Sequence, residues 1–282
     1  MFDTRAARFD LHMHSTSSDG TVAPEELATW VEKAGLEGFS LTDHDTVEGL
    51  EKARQGALEK GLVFLSGIEI SSNYLGKSVH ILGYGFDSDS TTLHSFLESQ
   101  RKARLERNHR LLQNLLKKDI KIDEARLLAR AKGSVGRVHI AQEMVALGYV
   151  SSIQEAFNQW IGDRAPCYVP SGSPSPDICI QAIHKAQGKV LLAHPHLMEA
   201  SHAKKVLKDF AWDGLEVFYG RFDLSRQRPW LEWSEKKNWV FSGGSDFHGE
   251  VKPETYIGSS WIDETALKKL LEGTYSQSLG VL

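Results

Sequence analysis

The stretch "RFDLHMHSTSSDGT", residues 8–21, decides how the chain is read. Within it Asp10, His12 and His14 alternate with Phe9, Leu11 and Met13, and Asp19 follows closely. Alternate side chains of a strand share a face, so the apolar set can bury while the acid and the two imidazoles point to one place.

Working outward, short apolar runs of the same kind recur. "GFSLT" (38–42), "LVFLSGIEI" (62–70), "SVHILGY" (78–84), "KVLLAH" (189–194), "GLEVF" (214–218) and "WVFSGG" (239–244) read as strands, with "ARFDLHM" (7–13) as the first. "ETYIGSSWI" (254–262) is a further candidate. Helical segments lie between them. "APEELATWVEKAG" has Pro24 at a first helical position and Gly35 as a stop. "DTVEGLEKARQGALEKG" starts at Asp45 or Thr46 as N-cap and closes at Gly61. "SPDICIQAIHKAQGK", "ASHAKKVLKDFA", "RPWLEWSEKKN" and "DETALKKLLEG" repeat the pattern. Alternating strand and helix predicts a parallel α/β sheet or barrel.

The middle of the chain differs. Residues 98–132 have helical periodicity and hold eleven Lys and Arg against five Asp and Glu, a local net of +6. With a whole-chain net of −4, the remainder carries −4 − 6 = −10. Helical character continues through "GRVHIAQEMVALG" and "SIQEAFNQWIG", and the Pro-rich "VPSGSPSPD" (169–177) reads as a return linker. The expected organisation is a first barrel part over 1–95, an inserted helical substrate-binding subdomain over 96–172, and a second barrel part over 173–282.

Composition excludes several classes. The 282 residues are 41% hydrophobic and 25% charged, the balance of a folded globular protein. Two cysteines, Cys167 and Cys179, exclude a disulfide scaffold and fit a reducing compartment. "MFDTRAARFD" has no apolar core of a signal peptide, and no run long enough for a membrane span occurs, so a soluble cytoplasmic protein is expected.

The ionisable residues carry the chemistry. Asp43, His44 and Asp45 follow one strand, Glu69 another, His194 a third, and Asp246 with His248 a fourth, in addition to the opening set. Only His80 lies inside its strand. In barrel enzymes the C-terminal strand ends hold the reactive groups. Imidazole and carboxylate ligands without cysteine suit Zn²⁺, Mn²⁺ or Fe. Nine candidates, His12, His14, Asp19, His44, Glu69, His80, His194, Asp246 and His248, exceed the needs of one ion and point to two or three. His94, His109 and His184 lie on helix-like sequence and read as packing or surface residues, and Asp45 reads as a helix cap.

With these residues in view, the chain resembles the PHP (polymerase and histidinol phosphatase) family of metal-dependent phosphoesterases. The matching motifs are "DLHMH", Asp19–Gly20, "TDHD", "GIE", "HILGY", "AHP" and "SDFH". "GRVHIAQEMVALGYVSS" and "EAFNQWIGDRAPCYVP" further resemble the inserted domain of a subgroup that includes nucleoside 3′,5′-bisphosphate phosphatases and TrpH/RNase AM-like 5′→3′ exoribonucleases. The resemblance implies a distorted (β/α)7 TIM-like barrel with an inserted helical subdomain. It implies a trinuclear centre, with Mn²⁺ expected and Zn²⁺ or Fe²⁺ as alternatives. One metal would be held by His12, His14, Glu69 and Asp246, a second by Glu69, His80 and His194, and a third by Asp19, His44 and His248. Asp10 would orient a ligand histidine through its ring N–H, and Asp43 would play a similar part.

Arg137 and His139 match the subgroup's phosphate-binding segment, and Arg164 in "GDRAP" is a further phosphate candidate. Family members often carry a lysine after "YVP", where this chain has Ser171. The implied activity is phosphoric ester hydrolysis (EC 3.1). A hydroxide bridging two metals would attack phosphorus, with Arg137, His139 and His194 in the catalytic set and His196 or His202 as candidate proton donors. The expected substrates are 3′,5′-nucleoside bisphosphates or the 5′ end of short RNA, with no membrane or dedicated protein partner. Alternatives are a monoesterase of a non-nucleotide such as histidinol phosphate, or a non-catalytic metal- or nucleotide-binding module.

Overall fold

In the computed structural model, residues 7–130, 135–170, 172–275 and 279–280 are described. Ser171 lies outside them. The first part of the chain forms β1 (Arg8–Asp10), α1 (Pro24–Lys33), β2 (Gly38–Leu41), α2 (Leu50–Glu59), β3 (Val63–Tyr74) and β4 (Lys77–Tyr84). A helical stretch follows, with α3 (Thr91–Leu116), α4 (Glu124–Arg130), α5 (Arg137–Ala146) and α6 (Ile153–Ala156) running into a π-helical turn over Phe157–Ile161. The return part holds α7 (Pro176–Lys185), β5 (Lys189–Leu192), α8 (Ala200–Asp209), β6 (Gly214–Tyr219), α9 (Leu224–Lys237) and β7 (Val240–Gly244). It ends with β8 (Ile262–Asp263), α10 (Glu264–Leu271) and β9 (Leu279–Gly280).

Strands β1 to β7 stand side by side in chain order. The sheet closes where the chain beyond β1 meets β7 and the chain beyond it. The Leu11 N–H donates to Gly243 O at 3.1 Å, the His14 N–H donates to Phe247 O at 2.8 Å, and Met13 bridges Phe247 in parallel. Closure needs a glycine. A Cβ on Gly244 would sit 2.3 Å from His12 N, so no other residue lets the two chains approach this closely. β8 pairs antiparallel with the other side of β1. The result is the distorted seven-stranded α/β barrel expected.

One expectation about direction fails. The sheet is not wholly parallel, because β4 is antiparallel to both β3 and β5. A two-residue turn joins β3 to β4, with Leu75 at φ 54° and Gly76 at φ 77°. Positive φ at both turn residues matches the twist of a hairpin, which reverses the chain at once instead of crossing over through a helix. β3 also runs on to Tyr74, so Glu69 lies within a strand and not at its end.

Other boundaries shift for local reasons. β1 stops at Asp10, leaving His12 and His14 in the irregular segment that closes the barrel. The run 254–262 forms no strand apart from Ile262 at the start of β8. α2 starts at Leu50 with Gly49 as N-cap, so neither Asp45 nor Thr46 caps it. Asp45 instead sits at φ 54°, where its carboxylate accepts from the Ser71 N–H at 2.8 Å and pairs with Arg104.

Two apolar clusters organise the interior. The larger fills the barrel and the layer under its helices, through residues such as Leu11, Phe39, Ile68, Leu191 and Leu215. The smaller joins Leu111, Leu115, Ile140, Met144, Ile161 and Val169. α3 belongs to both, since Leu93 and Leu97 enter the first and Leu111 and Leu115 the second. The boundary expected at residue 96 therefore falls inside a continuous helix. Among the described residues, no helix is long and apolar enough to cross a membrane.

Candidate metal centre

Glu69 is the hub of the polar end of the barrel. Its Oε1 lies 2.9 Å from His80 Nδ1 and 2.9 Å from His194 Nε2. Its Oε2 lies 3.1 Å from His14 Nε2, 3.3 Å from His44 Nδ1 and 3.4 Å from His12 Nε2. Asp246 Oδ1 faces His12 Nε2 and His14 Nε2 at 3.4 Å and His248 Nδ1 at 3.5 Å. Asp19 completes the ring, 3.5 Å from His248 Nε2, 3.7 Å from His14 Nδ1 and 3.9 Å from His44 Nε2. All nine positions singled out in the sequence meet here. His80 joins from inside its strand because β4 is reversed and pairs it with Ser71, two residues past Glu69.

The residues fit metal ions. Three sets have ligating atoms within 4.8 Å of one another: His12, His14, Glu69 and Asp246; His14, Asp19, His44 and His248; and His44, Glu69 and His80. The last set differs from the expected grouping, with His44 in the place of His194. Buried His14 Nε2 and His44 Nδ1 have no hydrogen-bond partner. Buried nitrogens left open around ionised carboxylates are what a cation would satisfy.

The electrostatics separate the imidazoles. Burial opposes charge on His12, but Glu216, Glu69 and Asp246 outweigh it and hold its pKa well above the ordinary value. Burial is likewise outweighed at His14, which Asp246, Glu69 and Asp19 raise to about 9. Burial wins at His44, held well below the usual range against the pull of Glu69 and Asp19. At His248 burial, with Lys252 and His14 nearby, lowers the pKa to about 3. Burial alone would raise Glu69, but His44, His80 and His12 keep its carboxyl far below the carboxylate range.

A supporting layer fixes these groups. Glu216, fully buried in β6, places Oε1 2.8 Å from His12 Nδ1 and accepts the His194 N–H on Oε2 at 2.7 Å. Asp246 Oδ2 accepts from Tyr219 OH at 2.7 Å and Lys252 Nζ at 2.8 Å, leaving Oδ1 to the imidazoles. Asp43 accepts from Ser15 N–H at 2.8 Å and from Ser18 Oγ, which lies 3.5 Å from His14 Nδ1. His194 and Asp246 hold positive φ angles, 26° and 54°, conformations the surrounding contacts must maintain.

Asp10 is corrected. It touches no histidine ring; its oxygens accept the backbone N–H groups of Ser245 and Gly258 at 2.9 Å and of His12 at 3.3 Å. These three amides engage its oxygens, and the His12 ring nitrogen Nδ1 is met by Glu216 instead. Burial lifts its pKa to about 6 despite these donors. Glu216 takes the role expected of Asp10. Its sequence signal was an acid in the middle of the apolar run "GLEVF".

Beside the hub a cavity of about 250 Å³ is walled by Asp19, His44, His80, His248 and Lys252 on the barrel side. Arg104, Arg107 and Arg137 face it from the helical side. Arg104 pairs with Asp45 and donates to Ser71 Oγ at 3.1 Å, and Arg137 pairs with Asp163 at 3.0 Å. Arg107 is 6% exposed, and its Nε has no partner. Burial, with Arg104 and Arg137 close by, lowers its pKa to about 9, so it stays charged at neutral pH. Arg104 and Arg107 were legible only as net charge. A sharper signal was their interruption of the apolar stripe Leu93, Leu97, Leu111 and Leu115 along α3.

Other expectations for this side change. His139 Nδ1 accepts the Gly136 N–H at 3.0 Å and so caps α5, whose first residue is Arg137; Gly136, Arg137 and Val138 line the cavity and His139 does not. Arg164 is exposed and off the cavity wall, and it is the neighbouring Asp163 that pairs with Arg137. His196 is packed among Tyr219, Phe222 and Trp230, and His202 stacks on Tyr74, so neither candidate proton donor lines the cavity.

Known proteins resemble the chain over most of its length. The family model for the PHP domain matches residues 10–161. A 5′-3′ exoribonuclease of Haemophilus influenzae is 33% identical over 86% of this chain and 90% of its own length. A 3′,5′-nucleoside bisphosphate phosphatase of Chromobacterium violaceum is 30% identical over 86% and 87%. A solved structure from Bifidobacterium adolescentis, assigned to the metal-dependent phosphoesterases, superposes with a TM-score of 0.85 at 31% identity, over 94% of this chain and 96% of that one.

Proposed function

The chain belongs to the PHP domain family and is a metal-dependent phosphoesterase, and we propose that its substrates are nucleotides with two phosphate groups in reach of the site: 3′,5′-nucleoside bisphosphates or the 5′ end of short RNA. One observation carries this reading. Buried, charged Arg107, whose Nε is unpartnered and which pairs with no acid among the described residues, shares a cavity with Arg104, Arg137 and the carboxylate–imidazole hub. A buried cation without a counterion is strongly unfavourable unless a ligand supplies the anion. The reacting phosphate would lie at the hub and the second phosphate among the arginines, whose planar donors suit phosphate oxygens. The activities of the exoribonuclease and bisphosphate phosphatase relatives support the same choice.

His12, His14, Glu69 and Asp246 would hold one ion, Asp19, His44 and His248 with His14 a second, and Glu69, His80 and His44 a third, beside His194 at 2.9 Å from Glu69. Nitrogen and carboxylate ligands suit Mn²⁺, Zn²⁺ or Fe²⁺, and the family resemblance makes Mn²⁺ the first to test. Bound ions would supply Lewis acidity toward the phosphoryl oxygens and an activated water. The chain's own groups do the rest. Glu216 orients His12 and anchors the backbone at His194. Tyr219 and Lys252 hold one oxygen of Asp246 so that the other faces the centre. Arg137, positioned by the cap that His139 makes, fixes the substrate, and Arg107 and Arg104 fix the second phosphate.

Phosphate release in Mn²⁺ from a 3′,5′-nucleoside bisphosphate, a short 5′-phosphorylated RNA and histidinol phosphate tests the proposal. The nucleotide substrates are expected to exceed histidinol phosphate by about 100-fold in kcat/KM, the order of one or two charged phosphate contacts. Preference for histidinol phosphate would overturn it.

A further inference from the structure

The cavity does not end at Arg137. A second, open groove continues from it, walled by Arg137, Phe157, Asn158, Gly162 and Asp163, and Arg137 and Phe157 line both spaces. The Arg137 guanidinium stands 5.7 Å from the Phe157 ring and 5.6 Å from the Tyr168 ring. Its charge is shared with Asp163 at 3.0 Å, so that acid is not an uncompensated repulsion toward an anion. Asn158 adds an exposed amide. The floor is the π-helical turn Phe157–Ile161, closed by the Gly162 N–H donating to Phe157 O at 2.9 Å. Such wide turns are rare and concentrate at functional sites.

We propose that this groove is a subsite for the second nucleotide of an oligoribonucleotide whose first nucleotide lies in the arginine cavity. The inference rests on the nucleotide reading above and adds where the second nucleotide of a chain would lie. A ligand filling both spaces at once must pass Arg137, so the phosphodiester joining the two nucleotides, the one that reacts, would lie between that guanidinium and the hub, with the 5′-phosphate on Arg104 and Arg107. The second base stacks on Phe157, a contact every base can make, while the Asn158 amide meets its edge. Stacking on Phe157 carries the larger part of the contact and the single Asn158 amide the smaller, so the subsite is broadly tolerant of sequence.

The test uses the metal-loaded full chain and two 5′-phosphorylated dinucleotides that differ only in whether the second residue carries its base. Wild type is expected to cleave the complete dinucleotide at least tenfold faster in kcat/KM than the abasic one. Phe157→Ala and Asn158→Glu are each expected to cut that ratio at least fivefold. Equal rates on the two dinucleotides in wild type overturn the subsite, whether or not the Phe157 variant folds, and so does an unchanged ratio in Asn158→Glu. Failure of wild type to turn over these dinucleotides and a 3′,5′-nucleoside bisphosphate alike instead refutes the underlying nucleotide reading.

Discussion

His12 Nδ1 lies 2.8 Å from Glu216 Oε1, and both side chains are fully buried. The contact keeps the ring proton on Nδ1 and turns Nε2 toward Glu69 and Asp246. A carboxylate behind a ligand histidine also raises its basicity. Glu216→Gln preserves the shape and removes the charge, so it is expected to weaken metal binding by about 10–100-fold, with activity recovering at excess Mn²⁺. Metal titration followed by activity checks this; an unchanged metal affinity would remove Glu216 from the supporting layer.

Arg107→Met separates stability from function. Removing an unpaired buried cation is expected to stabilise the folded chain by about 1 kcal/mol. The same change should raise KM for a 3′,5′-nucleoside bisphosphate about 30-fold, the equivalent of about 2 kcal/mol for a lost charged contact. Urea unfolding and steady-state kinetics read the two effects. A destabilised variant with wild-type KM would show that Arg107 serves packing alone.

Metal loading should release protons. In the metal-free centre His14 titrates at about 9 and His12 well above its ordinary value, so both carry protons at neutral pH, while His44 and His248 are held neutral. A cation taking up His12 and His14 must displace those protons, releasing about two from this ligand set at pH 7. Affinity therefore rises with pH until both rings have lost their extra protons. Calorimetry in buffers of different ionisation enthalpy measures the release, and pH-independent binding would contradict it.

His196 sets an acid limit on stability. Burial, with His194 nearby, lowers its pKa to about 4 against the opposing Val217 carbonyl. Above the unfolded value of 6.5 the ring is neutral in both states and no penalty arises. As pH falls from 6.5 to 4 only the unfolded chain takes the proton, so stability is lost across that window, by about 3 kcal/mol in total. His196→Leu, measured by urea unfolding in chelator, is expected to lose about that much less than wild type between pH 7 and 4. Parallel pH profiles would exclude His196 as the source.

The hairpin turn can be improved. Leu75 is exposed at φ 54°, a conformation in which the Cβ crowds the backbone carbonyl and which asparagine tolerates better. Leu75→Asn is expected to stabilise the chain by about 1 kcal/mol. An unmoved urea midpoint would show that the turn stores no such strain.

The alternation in "RFDLHMH" and the acids and imidazoles beside the other strand runs determined the barrel class and the nine residues that gather around Glu69, because strand periodicity and ligand chemistry are local properties of the chain. Partnership between distant elements is not local. Which carboxylate stands behind His12 depended on β6 lying in the closed barrel, and that set Glu216 in the place expected of Asp10. Reversal of β4 explained His80, and the packing of α3 across the barrel mouth turned Arg104 and Arg107 from surface charge into cavity wall. The same packing drew Asp45 away from its helix, while His139 went to a cap. Register, strand direction and helix docking are set by the summed burial of the whole core, so only the folded molecule decides them.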